Sequence, residues 1–276
     1  MTDTPQPERL ATLGQAAIDV LNTADAVEKA RLSQKHAQSW REGRLTWAFG
    51  TLPPERPARP ERPELLPANR MPKRGKAGSL SSRINLLHAL AHIELNAIDL
   101  AWDLVARFGT KLPRQFAHDW VKVADEESLH FLLINDRLME LGSHYGALPA
   151  HDGLWEAAQV TSEDLLARLA VVPMVLEARG LDVTPQTIER LERAEDRKSA
   201  EILGRIYRDE IGHVASGNKW FRYQCALAGV EPTSAFHDAV RRYFRGELKP
   251  PFNDAARLEA GLPPEFYQPL AGTSQA

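Results

Sequence analysis

Apolar residues recur at helical spacing along most of this chain, and no segment shows the strict polar–apolar alternation of a half-buried strand. Two short helices are predicted first, in ERLATLGQAAIDVLN from residue 8 and then in TADAVEKARLSQKHAQSWREG. Thr23 or Asp25 serves as N-cap of the second and Gly43 as its stop. Residues 52–76, LPPERPARPERPELLPANRMPKRGK, change character: dense proline excludes a helix interior and predicts an extended arm lying across the helices. From about residue 82, SSRINLLHALAHIELNAIDLAWDLVARFG is apolar on nearly every face, which predicts a largely buried helix closed by Gly109. A second long helix starts at Pro113 and stops at Gly142, followed by a loop, SHYGALPAHDGLW.

The third, SEDLLARLAVVPMVLEARG, takes Ser162 as N-cap and ends at Gly180, with Pro173 opening a hydrogen bond one turn before Glu177. A fourth is predicted from near Pro185 through RDEIGHVASGNKWFRYQCALAG, then a helix near 233–246 and a tail. The expected class is all-α. Its parts are accessory helices (1–50), a proline-rich arm (51–80), a four-helix bundle (81–230), and a C-terminal helix and tail packed on it (231–276).

Charge and cysteine usage narrow the partners. A net charge of −3 and a pI near 6.3 leave no global field for nucleic acid or anionic lipid, so neither is an expected partner; only the basic arm keeps a phosphate contact open. The single cysteine, Cys225, cannot form an internal disulfide and lies in an apolar helical stretch. The N-terminal residues lack a basic stretch followed by an apolar one, and no apolar run reaches membrane length. A cytoplasmic protein is expected.

The informative chemistry is carried by acids and histidines inside apolar helices. Glu-x-x-His occurs twice, at Glu127–His130 and Glu210–His213, and three residues apart on a helix both side chains can reach one metal ion. With 22 glutamates and nine histidines in 276 residues, chance alone supplies roughly 0.7 such matches, so the motif by itself decides little. Spacing decides more. Glu94 precedes Glu127 by 33 residues (127 − 94), and Glu177 precedes Glu210 by 33 (210 − 177). One helical hairpin, a Glu followed by Glu-x-x-His, is thus used twice, which is the ligand logic of two-metal carboxylate bundles. Four buried carboxylates would repel one another, and two divalent cations balance them. The competing reading is four acids on solvated stripes with two locally satisfied histidines.

The stretches HIELNAIDLAWD, DEESLHFLLINDRLMELGSHYG, VVPMVLEARGLDVTP and RDEIGHVASGNKWF resemble the DUF455 family of ferritin-like proteins, and the resemblance extends over the arm and the PFN-containing tail. It implies a ferritin-like antiparallel four-helix bundle with a di-iron centre on Glu94, Glu127, His130, Glu177, Glu210 and His213; it implies no substrate. Asp209 matches an Asp-Glu-x-x-His pattern of related di-iron proteins and is a candidate to orient His130, with Glu126 in the equivalent place in the first half. Tyr207, one turn before Glu210, is a candidate hydrogen-bond donor, and Gly212 a source of space beside the metals. His92, two residues from Glu94, points elsewhere on its helix, and His88 lies one turn before it.

A four-Glu, two-His set favours Fe(II) or Mn(II), alone or mixed, whereas affinity order alone would favour zinc or copper. The leading expectation is an O2-dependent oxidase or hydroxylase of a small organic substrate, with an external electron donor if it hydroxylates. The alternatives are a ferroxidase or peroxide-handling protein, a tRNA-modifying hydroxylase, and a metal-free helical interaction protein.

Overall fold

Local capping chemistry sets most helix ends in the computed structural model, which describes residues 11–71 and 78–272; residues 8–10 of the first predicted helix and 72–77 of the basic arm lie outside these. Helix α1 (Leu13–Asn22) begins where the Thr12 hydroxyl accepts from the backbone of Gln15, and α2 (Ala26–Arg41) where the Asp25 carboxylate accepts from Glu28. Gly43, with φ +72°, ends the turn after α2. Helix α3 (Leu80–Phe108) opens on a Ser79–Ser82 capping box, and α4 (Arg114–Glu140) follows Pro113. These two consecutive helices pack against each other as a hairpin, with α1 on α3 and α2 on α4.

The second half departs from the sequence reading in three places. The loop expected at residues 143–155 ends sooner, because a helix, α5 (Gly153–Val160), begins inside it and buries Trp155 and Ala158. Helix α6 (Leu165–Val171) is capped by Asp164 and not Ser162, because the Asp164 side chain accepts from Ala167 at 3.0 Å. Helix α7 (Ala178–Arg193) runs straight through Gly180 and Pro185, so neither ends nor starts a helix there. Pro185 cannot donate to the carbonyl of Leu181, and that carbonyl accepts instead from Asn253 of the tail at 3.2 Å. The reversal comes at residues 194–196, where Glu195 takes φ +59° and Asp196 donates back to Leu191 before capping α8 (Arg197–Ala228). A glutamate in the left-handed position gives no glycine signal, which is why the boundary was misplaced.

Between α6 and α7, residues Val172–Glu177 form a π-helical turn with Pro173 at its second position, where the missing N–H releases the ordinary ladder. Gly217 of α8 fits against this turn: a Cβ there would lie 2.5 Å from Pro173. Helices α6, the π turn, α7 and α8 pack together, and α8 also packs on α4, which joins the two hairpins into one helical bundle. Helix α9 (Pro232–Tyr243) lies on α6, and α10 (Asp254–Glu259) and α11 (Pro264–Tyr267) close the tail.

The proline-rich segment is extended and crosses the helices. Ala58 donates to Leu21, Leu66 and Ala150 bond across to the loop before α5, and Arg59 reaches Asp99 of α3 at 2.9 Å. One apolar cluster extends from Leu13 to Leu270, so α1, α2 and the tail share the core of the bundle. Among the described residues no helix is long and apolar enough to cross a membrane.

Candidate metal centre

Four elements bring the sequence-predicted acids and histidines toward one interior space. Glu94 comes from α3, Glu127 and His130 from α4, Glu177 from the last position of the π turn, and Glu210 and His213 from α8. Glu94, Glu127, His130 and Glu210 each offer a ligand atom within 4.8 Å of the others, a buried group able to hold a metal ion. His213 joins them through Nδ1, 3.0 Å from Glu127 Oε1 and 3.7 Å from Glu210 Oε1. His130 Nδ1 lies 3.3 Å from both Glu94 Oε2 and Glu127 Oε2. The Glu127 carboxylate therefore stands between the two imidazoles, one oxygen toward each.

Each histidine turns its other nitrogen to an acid on the opposite hairpin. His130 Nε2 meets Asp209 Oδ2 of α8 at 3.0 Å, and His213 Nε2 meets Glu126 Oε2 of α4 at 3.1 Å. The arrangement is reciprocal: each of these acids immediately precedes the glutamate of a Glu-x-x-His pair. Such bonds fix ring orientation and leave Nδ1 facing the carboxylates. Lys122 holds Glu126 in turn, at 2.7 Å.

Burial works against charge throughout. It raises the Glu94 carboxyl well above the usual range, helped by Glu127, and does the same to Glu177, helped by Glu210 and Glu127. Glu210 is raised by burial and Glu127 together. Burial opposes ionisation of Glu127 as well, but His213 and His130 overcome it and hold that carboxyl well below its ordinary value. Both imidazoles resist burial and stay protonated to high pH, His130 through Asp209, Glu127 and Glu94, His213 through Glu127 and Glu126. Without metal, protons thus do the work of neutralising the acids.

The donor set fits a metal on one further observation. Glu94 Oε2, Glu127 Oε1, Glu177 Oε2, Glu210 Oε2 and His213 Nδ1 are buried atoms without a hydrogen-bond partner. Some lie close to a neighbour, as His213 Nδ1 does to Glu127 Oε1, but not in donor geometry. Orphaned buried acceptors are costly, and a cation shared among them removes the cost.

Other predicted positions lie apart. Tyr207 accepts from Asn253 of the tail at 3.0 Å, so its hydroxyl is engaged there. Gly212 is exposed, and nothing lies within 4 Å of a Cβ placed on it, so the space beside it is solvent and not the cluster. His92 turns to Tyr145, at 2.8 Å. Tyr145 went unnoticed in a loop that carries no spacing signal. A cavity of about 1080 Å³ opens between α3, α5 and the π turn; Ile93 and Leu176, the chain neighbours of Glu94 and Glu177, are part of its wall.

Comparison with known proteins covers most of the chain. The family model described as a protein of unknown function, DUF455, matches residues 22–268. A relative from Haemophilus influenzae, described as an uncharacterized protein, is 42% identical over 209 residues, covering 74% of this chain and 72% of its own. No solved structure matches the chain. With the match running from the end of α1 to the tail and enclosing Glu94, Glu127, His130, Glu177, Glu210 and His213, the chain belongs to the DUF455 family.

Proposed function

We propose that Glu94, Glu127, His130, Glu177, Glu210 and His213 hold two divalent metal ions, by preference iron, with manganese or a mixed pair allowed by the same donor set. On this reading the bundle is ferritin-like, and the protein is an O2-dependent oxidase or hydroxylase of a small organic substrate, served by an external electron donor if it hydroxylates. The observation that carries it is the set of orphaned buried oxygens and one imidazole nitrogen, drawn from four separate elements, with ligand atoms of Glu94, Glu127 and Glu210 gathered in one space. A bound ferrous pair supplies the electrons that dioxygen reduction requires.

The chain's own residues prepare that chemistry. Glu127, with one oxygen toward each imidazole, would help to hold metal beside both histidines. Asp209 and Glu126 hold the Nε2 protons of His130 and His213, so Nδ1 faces the carboxylates and its proton is the one an entering cation would displace. Glu94, Glu177 and Glu210 give up protons as cations enter, so loading releases acid. The surrounding apolar wall of α3 and the π turn excludes bulk water. A reducing compartment, the cytoplasm, suits both ferrous loading and the lone buried thiol of Cys225.

The large cavity favours an organic substrate over simple iron storage, since a ferroxidase needs no room for one. Anaerobic loading with Fe(II) followed by exposure to oxygen tests the reading: stoichiometric O2 consumption with oxidation of the bound iron is expected. A well-loaded ferrous protein inert to oxygen would overturn it.

A further inference from the structure

The cavity beside the cluster has chemistry of its own. At about 1080 Å³ it matches the upper end of pockets that enclose drug-sized molecules. Ala89 and Ile93 of α3, Leu154 and Ala157 of α5, and Leu176 of the π turn make it largely apolar. Among the described residues, the charged members of its lining, Glu156 and Arg245, are both solvent-exposed and of opposite sign, so none of them places a fixed charge in the interior. A neutral guest is favoured.

One polar side chain of the wall is built to read such a guest. His92 is buried, its Nδ1 lies 2.8 Å from the Tyr145 hydroxyl, and its Nε2 has no hydrogen-bond partner. Tyr145 stacks on His92 and His88 with ring centroids 6.1 and 5.4 Å apart, and Phe131 closes edge-on at 5.4 Å. His88 anchors the same loop, accepting at Nε2 from the backbone of Gly146 at 2.9 Å. The rings are therefore held in place before any ligand arrives.

Tautomer follows from the hydroxyl. The Tyr145 phenol has no other hydrogen-bond partner among the described residues, so it donates to His92 Nδ1 and leaves the imidazole proton on Nε2. His92 is part of the cavity wall, and its Nε2 is a buried donor that no protein group satisfies.

We propose that this cavity binds a neutral, mostly apolar organic molecule bearing a hydrogen-bond-accepting oxygen, which His92 Nε2–H engages. As the substrate site of the enzyme it rests on the two-metal reading, because Ile93 and Leu176 join it to the chain beside Glu94 and Glu177; as a binding site it stands without metal.

The test uses the full chain, both metal-loaded and chelator-stripped, titrated with Nile red and followed by its fluorescence. Displacement is then compared for 2-acetylnaphthalene and for 2-ethylnaphthalene, which has the same skeleton without the oxygen. Saturable binding is expected, with the acetyl compound displacing about three- to tenfold better, the gain of one hydrogen bond. His92→Phe removes that preference while Nile red still binds, and Ala157→Phe, which fills the cavity, weakens both competitors at least about tenfold by excluding them. Absence of saturable binding, equal displacement by the two naphthalenes in the natural protein, or indifference to Ala157→Phe would overturn the proposal. Metal content measured on the same samples separates the two readings. Metal retained without probe binding sinks the cavity alone, and probe binding in a protein that retains no metal sinks the centre alone.

Discussion

At the scale of single residues, the reciprocal bonds of His130 to Asp209 and His213 to Glu126 divide the labour between ligand and support. Asp209→Ala leaves every proposed ligand in place but frees the His130 ring, so metal affinity should fall about 10–100-fold, read by competition with a chromophoric chelator. The protons give a second expectation. Raised carboxyls on Glu94, Glu177 and Glu210 and raised imidazoliums on His130 and His213 stabilise the metal-free fold below their ordinary pKa values, and that contribution is lost as pH rises through the raised ones. Glu127, held low, acts in the opposite sense, and only in acid. Metal binding therefore strengthens with pH while the stripped protein weakens. The difference in melting temperature between loaded and chelated samples should widen as pH rises through neutrality, and a constant difference would contradict this proton count. Glu94, Glu127, His130 and Glu210, whose ligand atoms the fold gathers, stand out in the sequence because i,i+3 pairing is local and the 33-residue interval repeats. Tyr145 was not, since it meets His92 across 53 residues and nothing near it in the chain announces the contact.

At the scale of elements, the π turn at Val172–Glu177 is the piece that sets Glu177 toward the cluster while Leu176 lines the cavity. It depends on close approach to α8 at Gly217. Gly217→Ala drives a methyl into Pro173, an overpacking cost of about 1–3 kcal/mol that the better helix propensity of alanine offsets by about 1 kcal/mol. A net loss of up to about 2 kcal/mol in urea unfolding is expected, together with reduced metal retention. Unchanged stability and metal content would show that the turn tolerates the shift. Proline and glycine were read from the sequence by their usual meanings, and Pro173 behaved accordingly. Pro185 and Gly180 did not, because Asn253 of a remote tail satisfies the carbonyl that Pro185 leaves open, and because the left-handed residue at the real boundary is Glu195. Such compensation is tertiary and leaves no local trace.

At the scale of the whole molecule, the arm is fastened by a buried charge cluster. Lys29 of α2 meets Asp99 of α3 at 2.5 Å and the Ala58 carbonyl of the arm at 3.0 Å, while Arg59 reaches the same carboxylate. Burial pulls the Lys29 ammonium below its ordinary pKa, and Asp99 works to keep it charged. Asp99→Ala strands both cations, which should cost about 3–5 kcal/mol in urea unfolding and loosen the arm to proteases near Ala58. A cost below about 1 kcal/mol would mean the arm is held by its backbone bonds alone. Arg56 with Asp152, and the bonds of Leu66 and Ala150, carry the same arm onto the loop before α5. The arm therefore braces a wall of the cavity as well as the α1–α2 pair.

All three scales meet at Glu127, whose two oxygens face the two histidines. The most direct measurement is the metal content per chain after anaerobic loading with Fe(II) and gel filtration, for the natural protein and for Glu127→Ala. Two ions per chain are expected in the first and at most one in the variant, with the variant still helical by circular dichroism. Retention no higher than buffer in the natural protein, or equal retention by a folded Glu127→Ala, would contradict the metal centre.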